Sequence, residues 1–339
     1  MEKLGVALLG LDHWYSAHDI ARQLADSPYA RLVAVSDENE QWARWTAQTF
    51  GAERWTTDYR AALHSPDVQI VATLASTDRN PARVLEAAAA GKHIVSVKPM
   101  ALDLAGADAI VAAVHAAGVH FLPLDTLLRL APDVRRHKAW LDEGRIGRPL
   151  RYSHTLNASL PMSWPGAQDS GWWLDPERVP GGAWLDHAIY AIDTARWLFG
   201  AEPATVSGVA GKMRYPELPF EDYGAAVFTF TNGAVALIED TWTADRGFGF
   251  QRNEIIGSAG AICDDKGPWG KIAARGAFGY GGWLGLDPAQ GERAAIDHLA
   301  ACIRGEVQPV AAAADGRANL AACLAFYEAA RTGLTVKLS

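Results

Sequence analysis

The stretch VALLGLDHWYSAHDIARQL, residues 6–24, joins a short apolar run to a helical pattern through Gly10. A strand that runs into a glycine and then a helix is how a dinucleotide-binding βαβ unit begins. The fingerprint G-x-G-x-x-G has two more glycines, and here Asp12 and Tyr15 stand at their positions. The repulsion between a carboxylate and a pyrophosphate about 4 Å away weakens binding by about 1 kcal/mol in water and about 4 kcal/mol at an effective dielectric of 20. The stretch therefore predicts a nucleotide-type fold with an altered pyrophosphate loop.

The start of the first helix is predicted from its side chains. The segment SAHD, residues 16–19, has the form of a capping box, with Ser16 as N-cap and Asp19 in place of the usual glutamate. It predicts a helix that begins at Ser16 and a longer loop over residues 10–15. Such a loop is free to present His13 and Trp14 to a ligand.

The composition is typical of a soluble globular protein of two domains. The chain has 339 residues, of which 49% are hydrophobic and 21% charged. A net charge of −8 argues against a nucleic-acid partner, which needs a basic patch. The three cysteines are odd in number and lack metal-ligand spacing, and we find neither a signal peptide nor an apolar run long enough for a membrane span. We therefore expect a cytoplasmic protein that does not bind a membrane.

The first 120 residues alternate between strand and helix patterns. Short β-branched runs predict strands at Val6–Leu9, Leu32–Val35, Ile70–Thr73 and Ile94–Val97. Alanine-rich helical patterns between them cover Ser16–Ala25, Glu38–Phe50, Pro81–Ala90 and Asp103–Ala117. This alternation is typical of βαβ units, and hence of a parallel sheet with helices on both faces.

The pattern changes after about residue 123. A helix over Pro132–Glu143, a strand over Leu150–Asn157, a Pro- and Gly-rich loop over 159–182 and a helix over Ala183–Phe199 are expected. Alternating strands follow near 204–213, 223–231, 234–243 and 249–256, with an Asn-Gly hairpin turn at 230–234 and closing helices over 291–304 and 315–331. We predict an α/β protein with a nucleotide-type domain over residues 1–123, a second α/β domain with a mostly antiparallel sheet over 124–339, and a cleft between them.

Two groups of side chains are candidates for chemistry. Lys98 follows an apolar strand of the predicted parallel sheet, where ligands bind in open α/β folds, and it is either a solvated charge or an acid/base. Asp186, Tyr190 and Asp193 have the spacing i, i+4, i+7 and are expected on one helix face. The alternative is that this face simply meets solvent.

Histidines and tryptophans gather in the same region of the chain. His154 and His187 together with Asp186 could bind a divalent metal, or the histidines could be hydrogen-bonded structural residues. Trp172 and Trp173, with Trp164 and Trp184, could stack on a sugar ring or plug the core under the long loop.

Three segments in order resemble the Gfo/Idh/MocA family. They are AAGKHIVSVKPMA at 89–101, GGAWLDHAIYAID at 181–193 and FYEAARTG at 326–333, and the resemblance covers the whole chain. It implies an N-terminal Rossmann domain and a C-terminal domain with an open, mostly antiparallel sheet that builds the substrate site and often an oligomer interface. Members are typically NAD(P)-dependent oxidoreductases of sugars and cyclitols, so the resemblance implies a sugar-like substrate and a homodimer or homotetramer.

The resemblance also implies roles for individual residues. Lys98, Asp186 and Tyr190 fall on the family's catalytic lysine, aspartate and histidine, with Tyr replacing His, as in some members. Lys98 and Asp186 would also bind the substrate together with His154, His187, Trp172 and Trp173. The cofactor would contact Lys98 and the residues that follow the first three predicted strands: Gly10, Asp12, His13, Trp14, Asp37, Ser76, Thr77 and Asp78.

Several cofactor positions depart from the family pattern. Ser76-Thr77-Asp78 replaces Thr-Pro-Asn, Pro81 replaces a histidine, and Val97 replaces the glutamate before the lysine. Asp37 is retained, and because a carboxylate suits a ribose 2′-hydroxyl and repels a 2′-phosphate, NAD is favoured over NADP.

Three functions follow as hypotheses. The first is an NAD-dependent oxidoreductase of a sugar or cyclitol. The second is a lyase, epimerase or hydrolase of a sugar derivative without nicotinamide turnover, metal-assisted through His13, His154, Asp186 or His187. The third is a non-catalytic sugar-binding or regulatory subunit, against which the retention of Lys98 and Asp186 argues.

Overall fold

A computed structural model describes residues 2–266, 270–291 and 294–338. The chain packs into two units that each combine separate segments. Unit 1 contains Met1–Leu127, Met162–Pro180 and Ala294–Ala318. Unit 2 contains Leu128–Pro161, Gly181–Arg293 and Asn319–Ser339. That the first 123 residues bind a dinucleotide and the remainder a substrate stays a prediction.

A six-stranded parallel sheet forms the centre of unit 1. Its strands are β1 (Leu4–Leu9), β2 (Ala30–Ser36), β3 (Arg54–Thr56), β4 (Ile70–Thr73), β5 (His93–Ser96) and β6 (Phe121–Pro123). Their order in the sheet is β3-β2-β1-β4-β5-β6, so the order reverses beside β1. Ligands of open parallel sheets bind outside the carboxyl ends of the strands at such a reversal. The predicted parallel sheet is confirmed, with β3 and β6 as additional short edge strands.

Helices connect these strands, and each buries residues of one face. They are α1 (Trp14–Asp26), α2 (Glu40–Phe50), α3 (Tyr59–Leu63), α4 (Asn80–Ala89) and α5 (Leu104–Ala117). Asn39 and Asp103 cap the starts of α2 and α5 by accepting backbone N–H bonds. A later helix, α8 (Ala295–Ile303), also belongs to unit 1; residues 292 and 293 of the predicted helix 291–304 lie outside the described residues.

The predicted start of α1 at Ser16 is wrong, because the helix begins at Trp14 with His13 as its N-cap residue. The backbone N–H of His13 donates to Leu74 O at 3.0 Å, and the N–H of Ala17 donates to His13 O at 3.0 Å. A bond to the neighbouring strand region therefore sets the entry of the helix, and the loop after β1 covers only residues 10–13.

A nine-stranded sheet forms the centre of unit 2. Its strands are β7 (Pro149–Asn157), β8 (Pro203–Gly211), β9 (Tyr223–Phe230), β10 (Val235–Thr241), β11 (Phe250–Gly257), β12 (Gly260–Asp265), β13 (Lys271–Arg275), β14 (Leu284–Leu286) and β15 (Val336–Lys337). They lie in the order β14-β13-β12-β11-β7-β10-β9-β8-β15. Among the described strand pairs of this sheet, β7 and β10 alone are parallel. The mostly antiparallel sheet predicted for the second domain is confirmed.

Helices of unit 2 pack on one face of this sheet. They include α6 (Pro132–Asp142) and α7 (Ile189–Phe199), and a π-helical turn, Trp184–Ala188, leads directly into α7. The last helix, α9 (Ala313–Thr332), has residues in both units. The predicted Asn-Gly hairpin joins β9 and β10, with Gly233 at φ +83°. In the described part of the chain, no helix has the length and apolar character that a membrane crossing requires.

A buried ion pair fixes α7 within unit 2. Arg129 donates to both carboxylate oxygens of Asp193, at 2.9 and 2.6 Å, and Asn319 donates to Asp193 Oδ1 at 2.9 Å. Asp193 is fully buried. Asp186 lies in the π-helical turn, whereas Tyr190 and Asp193 lie in α7, so the three residues do not belong to one regular α-helix. The buried ion pair gives Asp193 a packing role and excludes the alternative that Asp193 faces solvent.

Candidate active site

Gly10 is the turning point of the loop after β1. Its φ is +94°, and a Cβ atom there would lie 2.8 Å from Arg83 Nη1 and 2.9 Å from the backbone of Ala75. Both the conformation and the space therefore require glycine. Gly10 thus lets the chain turn tightly at the carboxyl end of β1, in close contact with Ala75 and Arg83.

Asp12, at the second fingerprint position, is held by the protein itself. Its Oδ2 accepts the backbone N–H of Ser76 at 2.8 Å, and its Oδ1 lies 3.6 Å from Arg178 Nη2. Arg178 also donates to Ser76 Oγ at 2.6 Å and lies 3.4 Å from Asp78 Oδ1. Arg178 thus partly compensates the negative charge that disfavours a pyrophosphate at this loop.

Asp37 follows β2 and points back to the same loop. Its Oδ2 accepts the N–H of Leu11 at 2.7 Å and its Oδ1 accepts the N–H of Asn39 at 2.8 Å. Burial raises the pKa of Asp37 to about 6, against the opposing effect of these two bonds. Asp37 is therefore largely ionised at neutral pH, and its remaining lone pairs can accept hydroxyl groups of a ribose.

Arg83, on α4, supplies a second positive charge beside Gly10. It is buried, and its Nη2 lies 3.7 Å from Glu38 Oε1. Burial lowers the pKa of Arg83, while the carboxylates of Asp12, Glu38 and Asp37 raise it. The acidic groups around the loop are thus partly compensated by the guanidinium groups of Arg83 and Arg178.

The segment Met162–Pro180 packs on this loop through aromatic side chains. The indole N–H of Trp172 donates to Asp12 O at 3.2 Å, and that of Trp14 donates to Met162 O at 2.9 Å. His13 is fully buried, with its ring 4.8 Å from that of Trp172 and 4.9 Å from that of Trp173. These tryptophans therefore form part of the packing of unit 1, and their predicted contact with a substrate stays a prediction.

Lys98 lies just after β5 and is 1% exposed. Its Nζ lies 5.4 Å from the centroid of the Trp173 ring, within the range of a cation–π contact. The bond between Lys98 and Pro99 is cis. Burial excludes the reading of Lys98 as a solvated charge.

Ser76, Thr77 and Asp78 follow β4, the next strand of the sheet reversal. Ser76 and Thr77 are fully buried. The hydroxyl of Thr77 has no hydrogen-bond partner among the described residues, which is unusual for a buried polar atom. An unsatisfied hydroxyl at the carboxyl end of a strand is suited to a bound cofactor.

Asp186 lies in the π-helical turn of unit 2, and such turns often mark functional sites. It is 8% exposed, and its Oδ2 accepts the indole N–H of Trp242 at 3.1 Å. His187 Nε2 lies 3.3 Å from the same oxygen, and His187 Nδ1 lies 3.5 Å from Oδ1 of the buried Asp240. Tyr190 follows at the start of α7 and is half-buried.

His154 lies on β7 and is buried. Its Nδ1 is 2.8 Å from Asn253 Oδ1, which also accepts the hydroxyl of Tyr152 at 2.7 Å. Burial lowers the pKa of His154 to about 4, so the ring is neutral at physiological pH. No group of three or more His, Cys, Asp or Glu side chains within the described ranges is arranged to hold a metal ion.

The sequence analysis missed four side chains. Arg83 and Arg178 lie beside the loop after β1, and Asp240 and Trp242 lie beside His187 and Asp186. Asp240 had a readable signal, because the alternation of β10 places it on the same face as the buried Ala236 and Ile238. A carboxylate in an apolar row indicates a buried partner. The two arginines gave no such signal, since charged residues near loops are usually solvated.

The comparisons with known proteins agree with this architecture. Residues 4–123 match a family model described as "Oxidoreductase family, NAD-binding Rossmann fold", and residues 134–263 match the "GFO/IDH/MocA C-terminal domain". The first sheet is therefore an NAD-binding Rossmann fold.

Relatives cover nearly the whole chain. The 1,5-anhydro-D-fructose reductase of Ensifer adhaerens is 30% identical over 311 residues, 90% of this chain and 90% of that protein. The scyllo-inositol 2-dehydrogenase (NAD(+)) of Bacillus subtilis (strain 168) is 28% identical over 346 residues, 99% of this chain and 95% of that protein. A crystal structure of the aldose-aldose oxidoreductase from Caulobacter crescentus, complexed with glycerol, has a TM-score of 0.86 at 26% identity and covers 99% of this chain and 100% of its own. The chain belongs to the GFO/IDH/MocA family of oxidoreductases, and NAD-dependent sugar and inositol dehydrogenases are among its distant relatives.

Proposed function

We propose that the protein is an NAD-dependent oxidoreductase that moves a hydride between C4 of the nicotinamide and a carbinol carbon of a sugar, sugar derivative or cyclitol. The observation that carries the proposal is Lys98, a buried lysine at the carboxyl end of a strand in an NAD-binding fold. The relatives that act on 1,5-anhydro-D-fructose and scyllo-inositol support the class of substrate.

The residues of unit 1 fit the cofactor. Gly10 makes the tight turn at the carboxyl end of β1, Asp37 offers carboxylate oxygens to the ribose, and the buried Thr77 hydroxyl lacks a hydrogen-bond partner among the described residues. Asp12 opposes the pyrophosphate, but its charge is paired with Arg178. The neighbouring His13, Trp14, Ser76 and Asp78 complete the proposed cofactor contacts. When bound, NAD supplies the hydride acceptor, and the carboxylate of Asp37 favours it over NADP because it repels a 2′-phosphate.

Lys98, Asp186 and Tyr190 act on the reacting hydroxyl. In the oxidation, the carbinol C–H bond breaks and its electron pair leaves as hydride, while the C=O bond forms and the hydroxyl proton passes to Lys98 or Tyr190. Burial disfavours a charged ammonium, which makes Lys98 suited to accept that proton. Asp186 orients the substrate by accepting a hydroxyl hydrogen bond.

Trp172, Trp173 and His154 are proposed as further substrate contacts. The indole rings of Trp172 and Trp173 stack on each other with centroids 4.2 Å apart, which gives flat apolar surfaces of the kind that pack on sugar C–H groups. His187 brings an imidazole beside Asp186.

We also propose that the protein is a homodimer or homotetramer, associated through the face of the unit 2 sheet that its helices leave uncovered. This face has a groove of about 720 Å³ and carries the exposed Val209, Val227 and Leu237. Exposed contiguous apolar surface of this kind marks interaction sites. The molar mass in solution, measured by light scattering, tests this proposal, and a monomer would contradict it.

The replacement of Lys98 by Met tests the catalytic proposal. NADH formation would be followed with a panel of cyclitols and sugars, and Lys98→Met is expected to lower kcat by at least about a hundredfold, the usual contribution of a positioned acid/base group. Lys92→Met is the matched control, because Lys92 directly precedes β5, at the opposite end of the strand from Lys98. Within the described residues, the hydrogen bonds of Lys92 Nζ go to the backbone carbonyls of Ser65 and Val68. Unchanged turnover in Lys98→Met, or no binding of NAD(H) or NADP(H), would contradict the proposal. Sugar turnover without nicotinamide would favour the lyase, epimerase or hydrolase instead.

A further inference from the structure

Asp240 is a fully buried carboxylate on the apolar face of β10. Its neighbours on that face along the strand are Ala236, Ile238 and Trp242, all buried. An ionised carboxylate is expensive in such surroundings unless a positive group compensates it. The imidazole of His187 provides such a group when it is protonated, since its Nδ1 lies 3.5 Å from Asp240 Oδ1.

His187 lies between two carboxylates. Its second ring nitrogen, Nε2, is 3.3 Å from Asp186 Oδ2, the oxygen that also accepts the indole N–H of Trp242. Asp240 and Trp242 belong to the same strand region and lie two residues apart, so β10 and the residue after it hold both His187 and Asp186. The three side chains form the row Asp240–His187–Asp186.

We propose that His187 is a positioning residue of the active site, doubly protonated between Asp240 and Asp186, which keeps Asp186 ionised to accept the substrate hydroxyl. The proposal rests on the proposed function, in which Asp186 orients the substrate. An imidazolium beside a carboxylate favours the ionised carboxylate, and a second carboxylate behind the ring favours the imidazolium. Asp240 thus acts on Asp186 through His187, although it lies on a different element.

The groups around His187 are consistent with this charge arrangement. The elements of unit 2 that pack against its turn bring Asp240 from β10, Gly224 from β9 and Tyr190 from α7. His154 on β7 is close enough for the charge of His187 to lower its pKa, and burial, the larger cause, keeps that ring neutral. Asp186 and Asp240 are thus the two carboxylates within ion-pair distance of the His187 ring nitrogens among the described contacts.

A structural ion pair alone would make a different prediction. If His187 and Asp240 served only to stabilise the fold, their replacement would lower the free energy of unfolding and leave the pH dependence of turnover unchanged. The positioning role changes the pH dependence, because Asp186 without its cation takes up a proton at a higher pH. The two roles are therefore distinguishable in the same variants.

The test compares Asp240→Asn, His187→Gln and the double variant with the wild type. The acid limb of kcat/KM is expected to move about one pH unit or more to higher pH in both single variants, with no further shift in the double variant. Asp240→Glu should largely restore the wild-type profile. Asp264→Asn is the control, since Asp264 is also a buried carboxylate of this sheet but lies on β12 beside Lys266. It should leave the acid limb in place.

A second measurement does not depend on turnover. Nitrogen-15 spectra of the wild-type protein near pH 7 should show both ring nitrogens of His187 protonated, with the signal assigned by its loss in His187→Gln. A singly protonated ring, or variants that fold and keep the wild-type acid limb, would overturn the proposal. If no polyol is oxidised, the proposed function fails, while the spectra still decide the charge of His187.

Discussion

Replacement of Asp12 by Asn should tighten the binding of NADH. Asp12 takes the second position of the fingerprint, where its carboxylate repels the pyrophosphate by about 1 to 4 kcal/mol, depending on the effective dielectric. Its side chain is 16% exposed and paired with Arg178, so the lower part of that range applies. About 1 kcal/mol corresponds to a fivefold change in Kd. Asn can still accept the N–H of Ser76, so the loop should keep its conformation.

The assay for Asp12→Asn is isothermal titration with NADH at low and high salt. We expect Kd to fall about five- to tenfold at low salt, and the difference to shrink at high salt as the charges are screened. Asp19→Asn removes the same charge farther along α1, at an exposed ion pair with Arg22, and should change Kd by less than about twofold. Equal or weaker binding in Asp12→Asn would refute the electrostatic reasoning.

Two further predictions concern stability. Arg129→Leu leaves the buried carboxylate of Asp193 without its bidentate partner and should lower the free energy of unfolding by about 3 to 5 kcal/mol in urea titrations; a loss below about 1 kcal/mol would contradict it. Burial lowers the pKa of His137 to about 4, whereas the unfolded chain binds this proton near pH 6.5. This histidine alone should therefore cost the folded protein up to about 3 kcal/mol of stability as pH falls from 6.5 to 4, and His137→Phe should lose correspondingly less than the wild type in unfolding titrations over that window. An unchanged pH slope would contradict this assignment.

The main elements of the fold could be predicted because periodicity reports burial. Buried runs such as Val6–Leu9 and Ile70–Thr73 lie in parallel strands, and the alternation near 223–231 and 234–243 lies in an antiparallel pair. The start of α1 could not be predicted from its side chains, because a backbone bond from His13 to Leu74 sets it. Local rules contain no information about such long-range bonds.

The packing of the segment Met162–Pro180 also depends on long-range contacts that the sequence does not reveal. Its composition predicts a Pro- and Gly-rich loop, but not that its tryptophans pack within unit 1. That packing rests on pairs such as Trp42 and Trp164, whose rings are parallel with centroids 4.3 Å apart. Contacts between residues so distant in the chain cannot be read from spacing.

Some residues of the candidate site could also be predicted from the sequence, and others could not. Short motifs contain Lys98, Asp186 and Tyr190, so these residues could be selected from the sequence. Asp240 belongs to no motif, and only its contact with His187 in the structure indicates a role. Ser76–Asp78 departs from the family pattern in sequence, yet it provides the buried Thr77 hydroxyl and the anchor for Asp12. The contacts of these residues, rather than their identity alone, support the cofactor site that we propose.

The transfer of deuterium to NAD tests the central claim most directly. Cyclitols and sugars deuterated at their carbinol carbons would be incubated with the protein and NAD, and the reduced cofactor analysed by mass spectrometry. We expect deuterated NADH from the wild-type protein with at least one substrate, and its initial rate of formation to be at least about a hundredfold lower in Lys98→Met. Consumption of a labelled substrate without label in the cofactor would contradict the account.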